Sequence, residues 1–167
     1  MYIQLNYLLH LYIQILQMKI EEIIKPTSPI AIEKRTLLNI MYTQNVLSEK
    51  FNEILKPFDL SPEQFNVLRI LRGQKGNPVS MCTIQERMIA KTSNTTRLVD
   101  KLLLKDLLIR EICPFNRRKM EITITEKGME LLKQLDNLVE SHEISFADNL
   151  TVKELELLNE LLEKFRN

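Results

Sequence analysis

The chain has 167 residues, 44% of them hydrophobic and 27% charged. That balance excludes a disordered or collagen-like polypeptide and leaves room for one domain, or one domain with an arm. Its three glycines, Gly73, Gly76 and Gly128, are not grouped as a phosphate-cradling loop requires, and their scarcity also argues against an all-β fold. Two cysteines and two histidines cannot supply a zinc site with cysteines in pairs, so neither a metal nor another cofactor is expected.

The net charge of +1 is unevenly spread. Residues 1–60 balance at 6 basic and 6 acidic, residues 61–128 carry 13 basic against 7 acidic, and residues 129–167 carry 4 against 9. A basic middle between neutral and acidic flanks suits a polyanion-facing module on a scaffold, with chance clustering on a solvated surface as the alternative.

Residues 2–16 are apolar-rich but interrupted by Gln4, Asn6, His10 and Gln14. The stretch is too short and too polar to span a membrane, which takes about 20 mostly apolar residues. It also lacks the leading positive charge and small-residue cleavage site of a secretory signal. Met18-Lys19-Ile20-Glu21-Glu22 reads as a natural start, so residues 1–17 are expected to be upstream sequence read in frame, with an extra interface helix as the rival reading. A cytoplasmic protein with no membrane partner is expected.

After Pro26 and Pro29, apolar residues at helical spacing (Leu37, Ile40, Met41, Leu47, Phe51, Ile54, Leu55) predict a helix over 31–56, ended by Pro57-Phe58-Asp59. Ser61-Pro62-Glu63-Gln64 is a helix start, with Ser61 as N-cap, Pro62 in the first turn and Gln64 closing a capping box. Phe65, Leu68 and Leu71 form its buried face, and Gly73 to Pro78 is the loop after it. Thr83-Ile84-Gln85-Glu86 has the spacing of a second capping box and opens a short helix carrying Ile84, Met88 and Ile89. Lys91-Thr92 makes a turn. Ser93 then caps a third helix with Leu98, Val99, Leu102 and Leu103 inside and Asn94, Arg97, Lys101 and Lys105 on the opposite face.

Two strands are predicted next, Leu107 to Ile112 and Lys119 to Thr125, with Cys113 to Arg118 as the hairpin tip. Beyond Gly128 a long helix carries Leu131, Leu132, Leu135, Leu138 and Val139. Thr151-Val152-Lys153-Glu154 is another capping box and starts a last helix. Its leucines (Leu155, Leu157, Leu158, Leu161, Leu162) lie on more than one side, more than a monomer surface carries comfortably. His10 and His142 have no Ser or Cys motif nearby. Glu154, Glu156, Glu160 and Glu163 read as a solvated helix face, so an enzyme is not expected. Cys82 and Cys113 read as reduced, structural thiols.

Two short capped helices at a tight turn, followed by a β-hairpin, is the order of a winged helix-turn-helix. The second helix would present short hydrogen-bonding side chains and Arg97 to base edges in the major groove, while Arg117-Arg118 on the hairpin would reach an adjacent minor groove. A merely solvated Arg97/Lys101 face is the bland alternative.

These residues carry a resemblance. Residues 31–166 resemble the MarR family (multiple-antibiotic-resistance regulators), dimeric winged helix-turn-helix transcription factors. The matching stretches are Leu60-Ser61-Pro62-Glu63-Gln64-Phe65-Asn66-Val67-Leu68 and Asn94-Thr95-Thr96-Arg97-Leu98-Val99-Asp100-Lys101-Leu102. A third is Asn116-Arg117-Arg118 with Ile122-Thr123-Ile124-Thr125-Glu126-Lys127-Gly128, similar to the family's wing signature. Asn116 replaces the usual Asp of that signature, and Asp106 replaces a Gly that commonly ends the recognition helix.

The resemblance implies a mainly α fold with a small β-hairpin wing (α+β), a winged helix-turn-helix lobe plus a helical dimerisation region. Its divisions would be an N-terminal extension (1–30), a dimerisation helix (31–58), a DNA-binding lobe (59–128) and C-terminal dimerisation helices (129–167). The implied function is a homodimeric repressor on a pseudo-palindromic double-stranded DNA operator, released by a small aromatic effector. Ser93, Asn94, Thr95, Thr96, Arg97 and Lys101 of the recognition helix would touch DNA, as would Asn116, Arg117, Arg118 and Lys119 of the wing. A winged-helix module that binds protein instead of DNA is the alternative.

Overall fold

A computed structural model describes residues 18–91, 94–114 and 116–167, without the side chains of residues 117 and 118. The expectations placed on residues 1–17, Thr92, Ser93 and Phe115 therefore lie outside the described residues. The elements in chain order are α1 (Ile20–Ile24), α2 (Ile32–Leu55), a 3-10 turn (Lys56–Phe58), α3 (Pro62–Arg72), α4 (Met81–Arg87), α5 (Thr95–Leu103), β1 (Leu108–Cys113), β2 (Asn116–Ile124), α6 (Glu126–Ala147) and α7 (Val152–Arg166). The result is the expected mainly helical fold with one antiparallel hairpin. Among the described residues no helix is long and apolar enough to cross a membrane.

The chain divides into two compact units within α2, between Glu49 and Lys50. In the first unit, Arg35 Nε pairs with Glu21 Oε1 at 2.9 Å, and Ile32, Leu37, Met41 and Leu47 of α2 are exposed.

The second unit is built around Leu55, Phe65, Leu68, Leu71, Ile84, Val99, Leu102, Leu108, Ile122, Leu132 and Leu135, all buried. These come from every element between the end of α2 and α6, so α3, α4, α5, the hairpin and α6 share one core. Phe51 meets Phe65 edge-on at 5.4 Å and stacks on His142 at 5.5 Å; Phe146 closes on the same imidazole at 5.1 Å. His142 is thus a packed histidine.

The helix starts follow from local chemistry. Ser61 Oγ accepts from the Gln64 backbone N–H at 3.2 Å while Gln64 Oε1 accepts from the Ser61 N–H at 3.0 Å, the reciprocal pair of a capping box. Thr151 and Glu154 do the same for α7. Those bonds, from the Thr151 backbone first and its hydroxyl second, hold the Glu154 carboxyl below its ordinary value.

Two expected caps are displaced. The second helix begins at Met81 with Ser80 as its N-cap, whose Oγ accepts from the Thr83 N–H at 3.2 Å. Thr83 is therefore third in that helix instead of its cap, and Ile89, past the C-terminal Met88, is 81% exposed. The third helix is capped by Asn94, whose Oδ1 accepts from the Arg97 N–H at 3.1 Å. Both stretches contain two hydroxyl or amide residues close together, and backbone direction decides which one faces the orphan N–H groups.

The hairpin also departs from expectation at its tip. Pairing runs from Leu108↔Ile124 to Ile112↔Met120, breaks register between Ile112 and Cys113, and resumes at Cys113↔Asn116. Residues 117 and 118 consequently belong to strand β2, not to the loop. The extra residues, 117–119, lie on β2, and this bulge lets β1 keep pairing as far as Cys113, before Pro114, which lacks an N–H to continue the ladder. Val79 adds a short third edge, exchanging backbone hydrogen bonds with Ile122 at 3.0 and 2.9 Å.

Between α5 and β1 the chain turns at Asp106, which has φ +58°. This is the left-handed conformation in which glycine has no steric penalty and Asp is among the better tolerated alternatives. Thr125 Oγ1 donates to the Asp106 carbonyl at 2.8 Å and Lys127 Nζ to the Lys105 carbonyl at 2.8 Å, fastening the corner to the start of α6. Gly128 sits against that corner. A Cβ there would lie 2.3 Å from the Leu107 carbonyl oxygen, so α6 approaches the sheet at a distance only glycine allows.

Candidate nucleic-acid interface

Helix α5 has a sharply divided surface. Val99 and Leu102 are buried, Leu98 and Leu103 half-buried, and Asn94, Thr96, Arg97 and Lys101 exposed. Asn94, Arg97, Leu98 and Lys101 border one shallow concavity, shared with Glu63 at the start of α3. Arg97 and Lys101 make no ion pair among the described residues, whereas Arg72, Lys105, Arg110 and Lys127 of the same unit are paired. Such guanidinium and ammonium groups are what a polyanion can use; Arg97 lies in the first turn of α5, where the helix dipole adds to its pull, and Lys101 in the last.

Two residues expected on that face are elsewhere. Thr95 is only 5% exposed and helps seat the helix. Lys105 falls beyond the C-terminal end of α5, where its ammonium pairs with Asp59 Oδ2 at 2.8 Å and also donates to the Asp59 carbonyl. That hydrogen bond, then the Lys105 charge and more weakly that of Lys101, holds the Asp59 carboxyl below the ordinary aspartate value. The helix ends before the i+4 position of Lys101 can face outward with it. Asn94 is on the surface, but its side-chain oxygen already accepts the Arg97 N–H, leaving the amide N–H groups and one lone pair for another partner.

Residues 116–119 open strand β2, and the main chain of Arg117 and Arg118 runs within it. Asn116 and Lys119 are exposed. The expectation for the two arginine side chains and for Ser93 lies outside the described residues. The pair that ties hairpin to helix, Arg110 Nη1 to Asp100 Oδ1 at 2.7 Å, is not evident from residue order. Only the register of β1 against α5 reveals it.

Elsewhere in the same unit, Phe58, Leu107 and Leu131 line a cavity of about 520 Å³ together with Lys105, Lys127, Asp59 and Glu130. Cys113 is buried, and Cys82 is exposed with its thiol donating to Glu86 Oε1 at 3.3 Å. The Glu86 hydrogen bond, and then its charge, push the Cys82 thiol above its ordinary value. A thiol held protonated is a poor nucleophile.

Two short consecutive helices, an amphipathic second one whose cations are unpaired among the described residues, and a hairpin with a bridging third edge are the parts of a winged helix-turn-helix of the transcription-regulator class. Residues 60–120 match the MarR family. The HTH-type transcriptional regulator MhqR of Bacillus subtilis (strain 168) is 31% identical over 120 residues, spanning 71% of this chain and 80% of MhqR. A solved MarR-like transcription regulator of Bacillus cereus ATCC 10987 superposes with a TM-score of 0.71 at 26% identity, covering 81% of this chain and 97% of that one. Bordetella bronchiseptica BpsR, whose DNA binding is regulated by 6-hydroxynicotinic acid, shares the fold at a TM-score of 0.72 and 21% identity, over 84% of this chain and 99% of BpsR. The chain belongs to the MarR family. Its relatives are transcriptional regulators, not enzymes.

Proposed function

We propose that the chain is a sequence-specific DNA-binding repressor that acts as a homodimer on a pseudo-palindromic operator. The observation that carries this reading is the pair of exposed cations Arg97 and Lys101 on α5, without an ion pair among the described residues and bordering one concavity with Asn94, while Thr96 is exposed on the same helix. Arg97 reaches guanine and the amide of Asn94 reaches adenine or a phosphate, while Thr96 and Ser93 suit phosphates. Asn116, Arg117, Arg118 and Lys119 of the wing contact the neighbouring minor groove or backbone. Thr95 supports the helix from inside instead of touching DNA.

Dimerisation through 31–58 and 129–167 accounts for the apolar side chains left exposed on α7, namely Val152, Leu157, Leu158, Leu161 and Phe165. A stable monomer of 19.7 kDa in sedimentation at micromolar concentration would contradict it. Release by a small aromatic effector is supported by the cavity that Phe58, Leu107 and Leu131 line, with Lys105, Lys127, Asp59 and Glu130 at its edge, of a size that holds small ligands.

The deciding experiment is selection of bound duplexes from random sequence. An inverted repeat with half-sites about one helical turn apart, about 34–36 Å, is expected of a two-fold dimer. Failure to enrich any palindrome would favour a protein-binding winged helix.

A further inference from the structure

The exposed face of α5 has one anion in its midst. Asp100 follows Arg97 by three residues and directly precedes Lys101, and its side chain is 48% exposed. Positions three apart on a helix are surface neighbours, with Cβ atoms about 5–6 Å apart. Arg97 is thus within reach of Asp100, and a pair between them would consume the guanidinium on which base reading depends. The structure shows Asp100 paired elsewhere: Arg110 Nη1 lies 2.7 Å from its Oδ1. Arg110 stands opposite Ile122 on the hairpin, and Ile122 is held on its far side by two backbone bonds to Val79 at 2.9 and 3.0 Å. Ile122 spends both backbone groups on Val79, so Arg110 faces it as a non-hydrogen-bonded pair between the bonded rungs Ile109↔Thr123 and Glu111↔Glu121, in the part of the wing that Val79 flanks.

We propose that Arg110 is a positioning residue for DNA binding, which captures Asp100 and so keeps Arg97 uncommitted. The inference rests on the DNA-binding reading above. Without Arg110, Asp100 would pair with Arg97 and would also set a negative charge against the phosphates. Both effects oppose DNA, and both disappear if Asp100 loses its charge. A tie that merely braced hairpin against helix behaves differently, because removing either partner breaks it and removing both mends nothing.

The test measures affinity and its salt dependence for the selected inverted repeat by fluorescence anisotropy. The proteins are wild type, Arg110→Ala, Arg110→Gln (which keeps most of the stem), Asp100→Asn and the Arg110→Ala/Asp100→Asn double variant. Either Arg110 variant should bind about tenfold or more weakly, about 1.4 kcal/mol. Its salt slope should fall by up to about 0.9 for each phosphate no longer neutralised. Asp100→Asn should stay within about twofold of wild type, and the double variant should regain most of the wild-type affinity and slope, on the same scale. Thermal midpoints, recorded alongside, should fall in both single variants and not recover in the double, which separates the bracing role from the shielding one. A double variant as weak as Arg110→Ala, or Arg110 variants that bind like wild type, would overturn the inference while leaving the DNA-binding reading intact. A wild type that enriches no inverted repeat would overturn that reading and this inference together.

Discussion

The lobe from α3 to β2 and the last helix, α7, begin from the same kind of sequence and end differently. Both have leucines at helical spacing and both open on a capping box. In the lobe that pattern is satisfied within the chain: Leu68, Val99 and Leu102 are fully buried. In α7 none of the described residues is buried, and Leu157, Leu158, Leu161 and Phe165 stand open. Periodicity reports that a helix has an apolar face, whereas burial reports whether the chain itself covers that face. An amphipathic helix left uncovered at this scale calls for a partner, and the homodimer proposed above would supply one.

The largest expected effects break that contrast directly. Leu158→Glu with Leu161→Glu should raise the dissociation constant of the proposed dimer by at least about 1,000-fold, about 4 kcal/mol, since two apolar side chains of its interface become charges. Sedimentation equilibrium would then show a monomer, with the lobe's helical signal kept. Leu102→Ala should act on the other side, costing about 2–5 kcal/mol of folding stability through the cavity it leaves. If α7 variants destabilise the lobe and leave the dimer whole, the two regions have been assigned the wrong way round.

Gly128→Ala comes next in size. Alanine in a helix is ordinarily worth about 1 kcal/mol over glycine. Here its Cβ would meet the Leu107 carbonyl oxygen at 2.3 Å and Ile124 Cγ1 at 2.8 Å, so the sign reverses. A loss of about 1–3 kcal/mol, typical of overpacking, should appear in urea unfolding with an unchanged slope. A stabilised variant would mean that α6 does not sit this close to the corner.

Within the lobe, helix and wing should separate by the kind of loss. Arg97→Ala should cost about 1–3 kcal/mol per half-site and relax preference at one base position. Replacing both Arg117 and Arg118 with Ala should weaken binding to all duplexes and reduce the salt slope by up to about 0.9 per phosphate released. A salt titration on the operator and on a scrambled duplex distinguishes them. A wing variant with the wild-type slope on both would show that the arginines touch neither backbone nor groove.

Helix starts are the features most readable from residue order, because a side-chain oxygen three residues before a partner N–H is a local event. Ser61 and Thr151 are picked out from Asp59 and Asn149 nearby because a Gln or Glu three residues on completes a capping box. The Thr83-to-Glu86 spacing misleads in the same way, since Ser80 takes that cap, and Asn94 takes the one expected of Ser93. The exposed stripe of Arg97 and Lys101 follows from the helix period, yet the same period extrapolates to Lys105, which the helix does not reach. Burial of Thr95 and capture of Asp100 by Arg110 depend on how α5 meets its neighbours. No spacing rule within one helix encodes that.

The smallest effect concerns pH and the ring cluster near the point where the lobe gives way to the C-terminal helices. His142 is flanked by Phe51 and Phe146, and burial, followed by the charge of Lys50, lowers its pKa below the ordinary 6.5, with Glu143 partly opposing. The folded protein therefore resists protonating this ring while the unfolded chain accepts the proton. Where the unfolded state binds more protons, stability rises with pH. The contribution is fully present above the unfolded value of 6.5 and is lost as pH falls from there toward the lower folded value. The Glu154 and Asp59 carboxyls, held below 4.5 and 3.8, lose their contributions as pH falls through and below those ordinary values. Urea midpoints measured at steps between pH 7.5 and 5 should decline slightly for the wild type. They should stay flat for His142→Phe, which preserves a ring between its neighbours. Equal slopes in the two proteins would mean that the imidazole titrates alike in both states and that the cluster shelters it less than its stacking suggests.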